Sequence, residues 1–113
     1  MNEDEVCDLL LSRGWQVVPP ETLSVKQQMG LFQQARAVCG VHGSALTNLL
    51  WMTPKARVLE CCPDNFLLGS FEWLARCIGL EHDFMVLPGD AAFRGKVPLD
   101  DALKRKLDWL EGA

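Results

Sequence analysis

Five glycine or polar positions cluster directly after an apolar run near the middle of the chain. Residues 38–48 read VCGVHGSALTN, and the positions with chemical potential are His42, Gly43, Ser44, Thr47 and Asn48. A buried parallel strand that turns into a helix leaves free backbone N–H groups at the helix start, where anions bind. Gly43 would let a ligand approach the backbone closely, and the spacing i, i+3, i+4 of Ser44, Thr47 and Asn48 predicts that these three share one helix face. The stretch therefore predicts an anion site, although helix capping and local hydrogen bonds are the alternative for each residue alone.

Glu60 is the second candidate, because it lies near the carboxyl end of an apolar strand predicted over residues 57–61. A carboxylate in a buried strand is costly unless it is paired or faces a ligand. Glu60 could accept hydrogen bonds from ribose or sugar hydroxyls, or it could form a salt bridge with Arg57 or Lys55. The sequence leaves both alternatives open. His82, just before the last predicted strand, is expected to be solvated.

Helix-like and strand-like stretches alternate along the chain. Strands are predicted at residues 15–18, 37–41, 57–61 and 83–87, and helices at residues 2–13, from Ser24, at 44–51, at 65–78 and along the Leu99–Leu110 stripe. Ser24 and Gln27 have the spacing of a capping box, and Trp51 and Trp73 are expected in the core. The alternation predicts one α/β domain over residues 1–113, a Rossmann-like three-layer parallel sheet flanked by helices. Such units begin with a strand, whereas this chain begins with a helix, so a first strand is expected to be lost or supplied by another chain.

Composition excludes several classes of protein. The net charge is −4, from 11 basic and 15 acidic residues, which argues against nucleic acid as the main partner. No run approaches the roughly 18 apolar residues of a membrane span, and the acidic start MNEDEV is unlike a signal peptide, so a cytoplasmic location is expected. Five cysteines without a CxxC pair predict reduced thiols and no structural zinc site. Cys39, Cys61 and Cys62 are expected to be buried.

The sequence resembles the C-terminal half of glycosyltransferase family 61. The resemblance is carried by N-E-D-E-V, P-E-T-L-S-x-x-x-Q, V-x-G-V-H-G-S-A-L-T-N-L-L and V-L-E, and the match extends from about Asn2 to Leu87. The family includes plant xylan arabinosyl- and xylosyltransferases, animal O-linked N-acetylglucosaminyltransferases and bacterial capsular polysaccharide enzymes. It normally has an arginine-containing strand before the first helix and a further N-terminal domain. Its members often have a proline-glycine pair where this chain has Pro54-Lys55.

The resemblance implies half of a GT-B enzyme, in which this domain binds a nucleotide-sugar donor, with a UDP-sugar expected, for transfer to a glycan acceptor. It implies that His42, the candidate catalytic residue, lies with Gly43, Ser44, Thr47 and Asn48 around the donor diphosphate. Gln28 and Glu60 would be secondary donor contacts. No divalent metal or cofactor is expected, in agreement with the absence of a DxD motif. The acceptor site and the catalytic base would lie in the N-terminal domain or in a second chain.

Two other functions stay open. A non-catalytic or truncated domain could act in oligomeric assembly, with a homodimer filling an unpaired sheet position. An unrelated nucleotide-binding α/β domain is the third alternative, although the sequence lacks a GxGxxG stretch.

Overall fold

The computed structural model of the protein describes residues 3–41, 44–63, 70–87 and 100–112. The α-helices are α1 (Glu3–Ser12), α2 (Val25–Gln34), α3 (Ser70–Ile78) and α4 (Asp101–Glu111). The strands are β1 (Ala37–Val41), β2 (Arg57–Pro63) and β3 (Glu81–Leu87). Two 3₁₀ helices cover Pro20–Thr22 and Ser44–Trp51; the second is called the 44–51 helix below.

The ends of the helices follow local sequence signals. Ser24 caps α2 through the backbone N–H of Gln27, whose side chain accepts from the Ser24 backbone, so the predicted capping box is confirmed. Asp100 caps α4 by accepting from the backbone N–H of Leu103. Gly79 follows α3 with a φ of 89°, a left-handed conformation that glycine adopts without steric cost.

The three strands form one parallel sheet in the order β1-β2-β3. Gly40 is paired with Glu60, and Glu60 with Phe84. Successive side chains of a strand point to opposite faces, so one face of the sheet has the odd-numbered positions and the other the even-numbered ones. The predicted α/β fold, a parallel sheet flanked by helices, is confirmed.

The odd-numbered face, called the first face, packs against α1 and α4. Its buried core consists of Leu59, Cys61, Met85, Leu103, Leu107 and Leu110. Val6, Leu9 and Leu10 of α1 pack against this cluster. The first face is therefore covered by the first and last helices of the described chain.

The even-numbered face, called the second face, packs against α2, the 44–51 helix and α3. Its buried core consists of Leu46, Leu49, Met52, Ala56, Val58, Ala75 and Leu80. Phe32 and Ala35 at the end of α2 pack against this cluster. Along the chain, α2 precedes β1, the 44–51 helix lies between β1 and β2, and α3 lies between β2 and β3.

Several sequence expectations are wrong in detail. Residues 15–18 are not part of the sheet, and β2 and β3 extend past the limits predicted for them. Trp51 and Trp73, expected in the core, are exposed, with 43% and 68% of their surface accessible. Cys61 and Cys62 are buried as predicted, whereas Cys39 is half-buried. Within the described ranges, no helix has the length and apolar character needed to cross a membrane.

Candidate functional site

The site predicted from the sequence begins where β1 ends. β1 ends at Val41 and the 44–51 helix begins at Ser44, both at the predicted limits; His42 and Gly43, between them, lie outside the described residues. Because β1 is parallel to its neighbour, its last residue, Val41, lies at the carboxyl edge of the sheet, where ligands bind in open α/β folds. The backbone therefore has the predicted strand-to-helix order.

The helix type changes which side chains are neighbours. A 3₁₀ helix has about three residues per turn, so positions i and i+3 align while i+4 is rotated away. Thr47 is exposed and Asn48 is half-buried. Asn48 instead faces α2, where its Nδ2 donates to Oε1 of Gln28 at 2.8 Å. The expected common face of Ser44, Thr47 and Asn48 depends on α-helical geometry, which this segment does not have.

Gln28 and Asn48 are brought together although 20 positions separate them in the sequence. The Nε2 of Gln28 also donates to the backbone carbonyl of Leu23 at 3.3 Å. Gln28 is thereby fixed at its own helix start and at the 44–51 helix. Two residues predicted as donor contacts thus hold α2 against the helix that begins at the candidate anion site.

Glu60 is buried within β2, with 4% of its surface exposed. β2 continues to Pro63, so Glu60 lies inside the strand and not at its carboxyl end as predicted. Its Oε1 lies 2.9 Å from Nε2 of His82, and the two side chains are 5% and 6% exposed. Arg57, one of the two cations predicted as alternative partners of Glu60, pairs with Glu81 at 2.7 Å, and both Arg57 and Glu81 belong to the odd-numbered face, opposite to Glu60.

His82 was missed by the sequence analysis, which placed it in solvent. β3 begins at Glu81, two residues earlier than predicted, so His82 is a strand residue on the second face, paired with Val58. Glu60 lies two residues after Val58 on the same face, which makes it a diagonal neighbour of His82. A prediction that began the last strand at Glu81 would have made His82 a strand residue and so a candidate neighbour of Glu60.

The thiol of Cys62 completes the surroundings of Glu60. Burial, the nearby charge of Glu60 and a hydrogen bond to its carboxylate raise the pKa of Cys62 to about 12. A thiol with this pKa stays protonated at neutral pH and is a poor nucleophile. Cys62 therefore contributes a protonated thiol, and no second negative charge, beside the carboxylate of Glu60.

A cavity of about 600 Å³ lies beside β1, on the side away from β2. Its walls include Trp15–Val18, Gln28, Phe32, Ala37–Gly40 and Leu46. Gly40 allows Leu46 to approach β1, because a Cβ at this position would lie 3.3 Å from Cδ2 of Leu46. Of the predicted site residues that the structure describes, Gln28 lines this cavity, whereas Thr47, Asn48 and Glu60 are not among its lining residues.

Comparisons with known proteins show which family the chain matches. The family described as Glycosyltransferase 61 matches residues 1–59, just over half of the 113-residue chain. Two relatives are 33% identical over 70 residues, namely "Beta-1,2-xylosyltransferase RCN11" of Oryza sativa subsp. japonica and "Beta-1,2-xylosyltransferase" of Arabidopsis thaliana. The match covers 62% of this chain but spans only 13% of the length of either relative. No solved structure matches the chain.

Proposed function

Because the chain belongs to glycosyltransferase family 61, we propose that it forms the donor-binding part of an enzyme that transfers a sugar from a nucleotide diphosphate to a glycan. The observation that carries this proposal is the connection from β1 to the 44–51 helix at the carboxyl edge of a parallel sheet. The connection falls within the residues that match the family. Backbone N–H groups at a helix start supply partial positive charge without a metal ion.

In this proposal the leaving diphosphate lies in front of the start of the 44–51 helix. The backbone N–H groups near Ser44 stabilise the negative charge that develops as the sugar leaves. His42 acts as an electrostatic and hydrogen-bonding partner of the diphosphate, and Gly43 allows its close approach. Thr47, which is exposed, is a direct contact, while Asn48 and Gln28 hold the 44–51 helix in place through their mutual hydrogen bond.

We assign Glu60 a place behind this site. Its burial and its contact with His82 support a role in fixing β2, while the predicted bond to a donor hydroxyl stays a prediction. The names of the two relatives support a xylosyl group as the transferred sugar, and UDP is the proposed nucleotide. The glycan acceptor, the catalytic base and the cytoplasmic location also stay predictions.

Binding of the donor can be tested on the chain itself by NMR. Titration with UDP and UDP-xylose is expected to shift the backbone amide resonances of residues 44–48 far more than those of α4. UDP-N-acetylglucosamine tests the choice of sugar, and ADP tests whether the site accepts another nucleotide. Unchanged resonances of residues 44–48 at several millimolar UDP would refute the donor site.

Two threonine variants sharpen this experiment. Thr47→Val removes a hydroxyl at the proposed site and is expected to weaken UDP binding about ten- to a hundredfold, because a hydrogen bond to a charged group contributes about 1.5–3 kcal/mol and each 1.4 kcal/mol is tenfold in affinity. Thr53→Val is the matched control, since Thr53 donates to the backbone carbonyl of Gln33. Equal affinities of the two variants would remove Thr47 from the site.

A second function, assembly with another copy of the chain, is favoured by one observation. Among the described strands, β1 pairs only with β2, and its other edge faces the cavity. Light scattering distinguishes the two functions, because assembly through this edge requires a dimer at micromolar concentration. A monomer that binds UDP would refute assembly through this edge and support donor binding.

A further inference from the structure

The buried contact between Glu60 and His82 lies close to the proposed donor site. Glu60 is paired with Gly40 of β1, and a Cβ at Gly40 would lie only 3.3 Å from Cδ2 of Leu46. The first turn of the 44–51 helix therefore lies over β1, beside the position of Glu60 on the second face. Because neighbouring strands are about 4.8 Å apart and rise about 3.3 Å per residue, the Glu60 carboxylate lies within about 10 Å of the helix start.

A carboxylate at this distance opposes the binding of an anion. The diphosphate of a nucleotide sugar has a negative charge on each phosphate, and the protein interior screens charges far less than water does. At an effective dielectric constant of about 20, two like charges about 10 Å apart weaken binding by a factor of about ten. An ionised Glu60 without a compensating charge would therefore lower the affinity of the site for its donor.

His82 is placed to compensate the charge of Glu60. Its Nε2 lies 2.9 Å from Oε1 of Glu60, and both side chains are buried. A protonated imidazole gives the pair no net charge, whereas a neutral imidazole leaves the negative charge of the carboxylate in place. Histidine is the side chain whose charge commonly changes between about pH 5 and 8. The protonation of His82 therefore sets the charge that the pair presents to the donor site.

The neighbouring ionisable groups have other contacts or keep their protons. Cys62, on the same face of β2, stays protonated because its pKa is raised to about 12, and the sequence of the 44–51 helix has no acidic, basic or thiol side chain. The helices α2 and α3 on this face contribute Lys26, Glu72, Arg76 and Cys77; all but Glu72 are exposed, and Glu72 pairs with Arg76 at 2.9 Å. The residues on either side of His82 in β3 point to the first face, where Glu81 pairs with Arg57 and Asp83 with Lys106.

We propose that pH controls the donor affinity of this site through His82, which neutralises Glu60 when it is protonated and thereby favours binding of the diphosphate. This inference rests on the proposed donor site. Neither side chain touches the donor; both act through their charge. Because linkage between two binding events is reciprocal, donor binding takes up a proton at His82, and the affinity falls as the pH rises.

UDP-xylose is the suitable probe. Its two phosphates are both esterified, so it lacks the terminal phosphate that changes charge near pH 6. Calorimetric titration of the chain is expected to show an affinity about tenfold lower at about pH 8 than at about pH 5. NMR gives a second readout without any substitution, because saturation with UDP-xylose at a fixed pH should increase the protonated fraction of the His82 imidazole.

His82→Gln separates this effect from that of the other histidine. The chain has two histidines, and His42 lies in the proposed donor site, where it can add a pH dependence of its own. Glutamine retains a side-chain donor for Glu60 but cannot become charged. The affinity of His82→Gln for UDP-xylose should therefore be as low at about pH 5 as at about pH 8, apart from the contribution of His42.

Glu60→Gln should give the opposite result. Without the carboxylate no negative charge opposes the diphosphate, so the affinity for UDP-xylose at about pH 8 should rise about tenfold. The double variant with His82→Gln should have the affinity of Glu60→Gln alone. Glu72→Gln is the matched control, since its carboxylate is paired with Arg76 within one helix, and it should change neither the affinity nor its pH dependence.

Two results would overturn the proposal and leave the donor site intact. The first is a pH dependence of UDP-xylose affinity that is the same in His82→Gln as in the unchanged protein. The second is a lower affinity of Glu60→Gln at both pH values, which would indicate that Glu60 contacts the donor directly. Absence of UDP-xylose binding at every pH would refute the donor site itself, and this proposal with it.

Discussion

The two faces of the sheet are built from alternate residues of the same three strands, yet they differ in chemistry. On the first face, Leu59, Cys61 and Met85 meet the leucines of α4, and the charged groups stay at the rim, as Lys106 does in its 2.7 Å pair with Asp83. On the second face, Glu60 and His82 are buried in the sheet itself. Leu59 and Glu60 are consecutive residues of β2, so the apolar side chain and the buried carboxylate lie on opposite faces of the sheet.

This difference indicates which face is shaped for more than stability. Burial of a polar pair gains little stability over well-packed apolar residues, so the contact of Glu60 with His82 is not explained by core formation. The second face also has the 3₁₀ helix and the Gln28–Asn48 contact, next to the connection that we propose as the donor site. We therefore interpret the first face as the support and the second as the face that positions the site.

The largest effect is expected from a cavity in the first face. Leu107 is fully buried, and Leu107→Ala should lower the free energy of unfolding by about 2–5 kcal/mol. Urea unfolding measures this loss, with Leu11→Ala as control, since Leu11 is 57% exposed. Under conditions in which Leu107→Ala is folded, UDP should still shift the amide resonances of residues 44–48. Loss of these shifts would show that the two faces do not have separate roles.

The next effect is expected from the buried pair of the second face. His82→Leu leaves the carboxylate of Glu60 without its imidazole partner and should cost about 3 kcal/mol. The double variant Glu60→Leu/His82→Leu should recover much of that loss, because it buries no unpaired charge. Urea unfolding of the two single variants and the double variant gives the coupling energy. Additive losses would show that the pair is not coupled and would remove the contrast between the faces.

Local signals in the sequence were sufficient for some elements. The capping box of Ser24 and Gln27 fixed the start of α2, and the limits of β1 and the 44–51 helix agree with the apolar run and the glycine before Ser44. These elements depend on residues within a few positions of one another. The strand-to-helix connection of the candidate site was therefore predictable.

Other features depend on partners that are distant in the sequence. The pairing of Glu60 with His82 requires the register of β2 and β3, which no local pattern specifies. Trp15–Val18 has strand composition, but a strand forms only beside a partner. Trp73 was expected in the core because the sequence places it on an apolar helix face, but which residues of α3 are buried depends on packing, and Trp73 is 68% exposed.

A smaller effect of opposite sign is expected at Lys55, in the turn that leads from the 44–51 helix into β2. Lys55 has a φ of 76°, and this left-handed conformation costs a residue with a Cβ about 1–2 kcal/mol. Lys55→Gly should raise the free energy of unfolding by up to about 1 kcal/mol, because the greater backbone entropy of glycine offsets part of the relief. Lys55→Ala is the control: it removes the charge but keeps the Cβ, so a gain as large as that of glycine would refute the explanation by strain.

The smallest effect is expected at the rim of the first face and depends on pH. Hydrogen bonds from Arg13, and a further one from Trp15, hold the pKa of Glu111 below its usual value. A carboxyl group whose pKa is lower in the folded state stabilises the protein above its unfolded pKa, and this contribution is lost as the pH falls through the folded pKa. Because Glu111 is 31% exposed, solvent screening limits the contribution to about 1 kcal/mol.

Glu111→Gln should therefore lower the free energy of unfolding at pH 7, while below the folded pKa the variant and the unchanged protein should be equally stable. Thermal unfolding across this pH range measures the convergence. Glu72→Gln is the matched control, because Glu72 pairs with Arg76 within one exposed helix, and such pairs contribute only about 0.3–0.5 kcal/mol. A constant difference at all pH values would show that Glu111 acts through packing and not through its charge. In that case the anchor of Trp15, and with it the outer wall of the cavity, would not depend on the ionisation of Glu111.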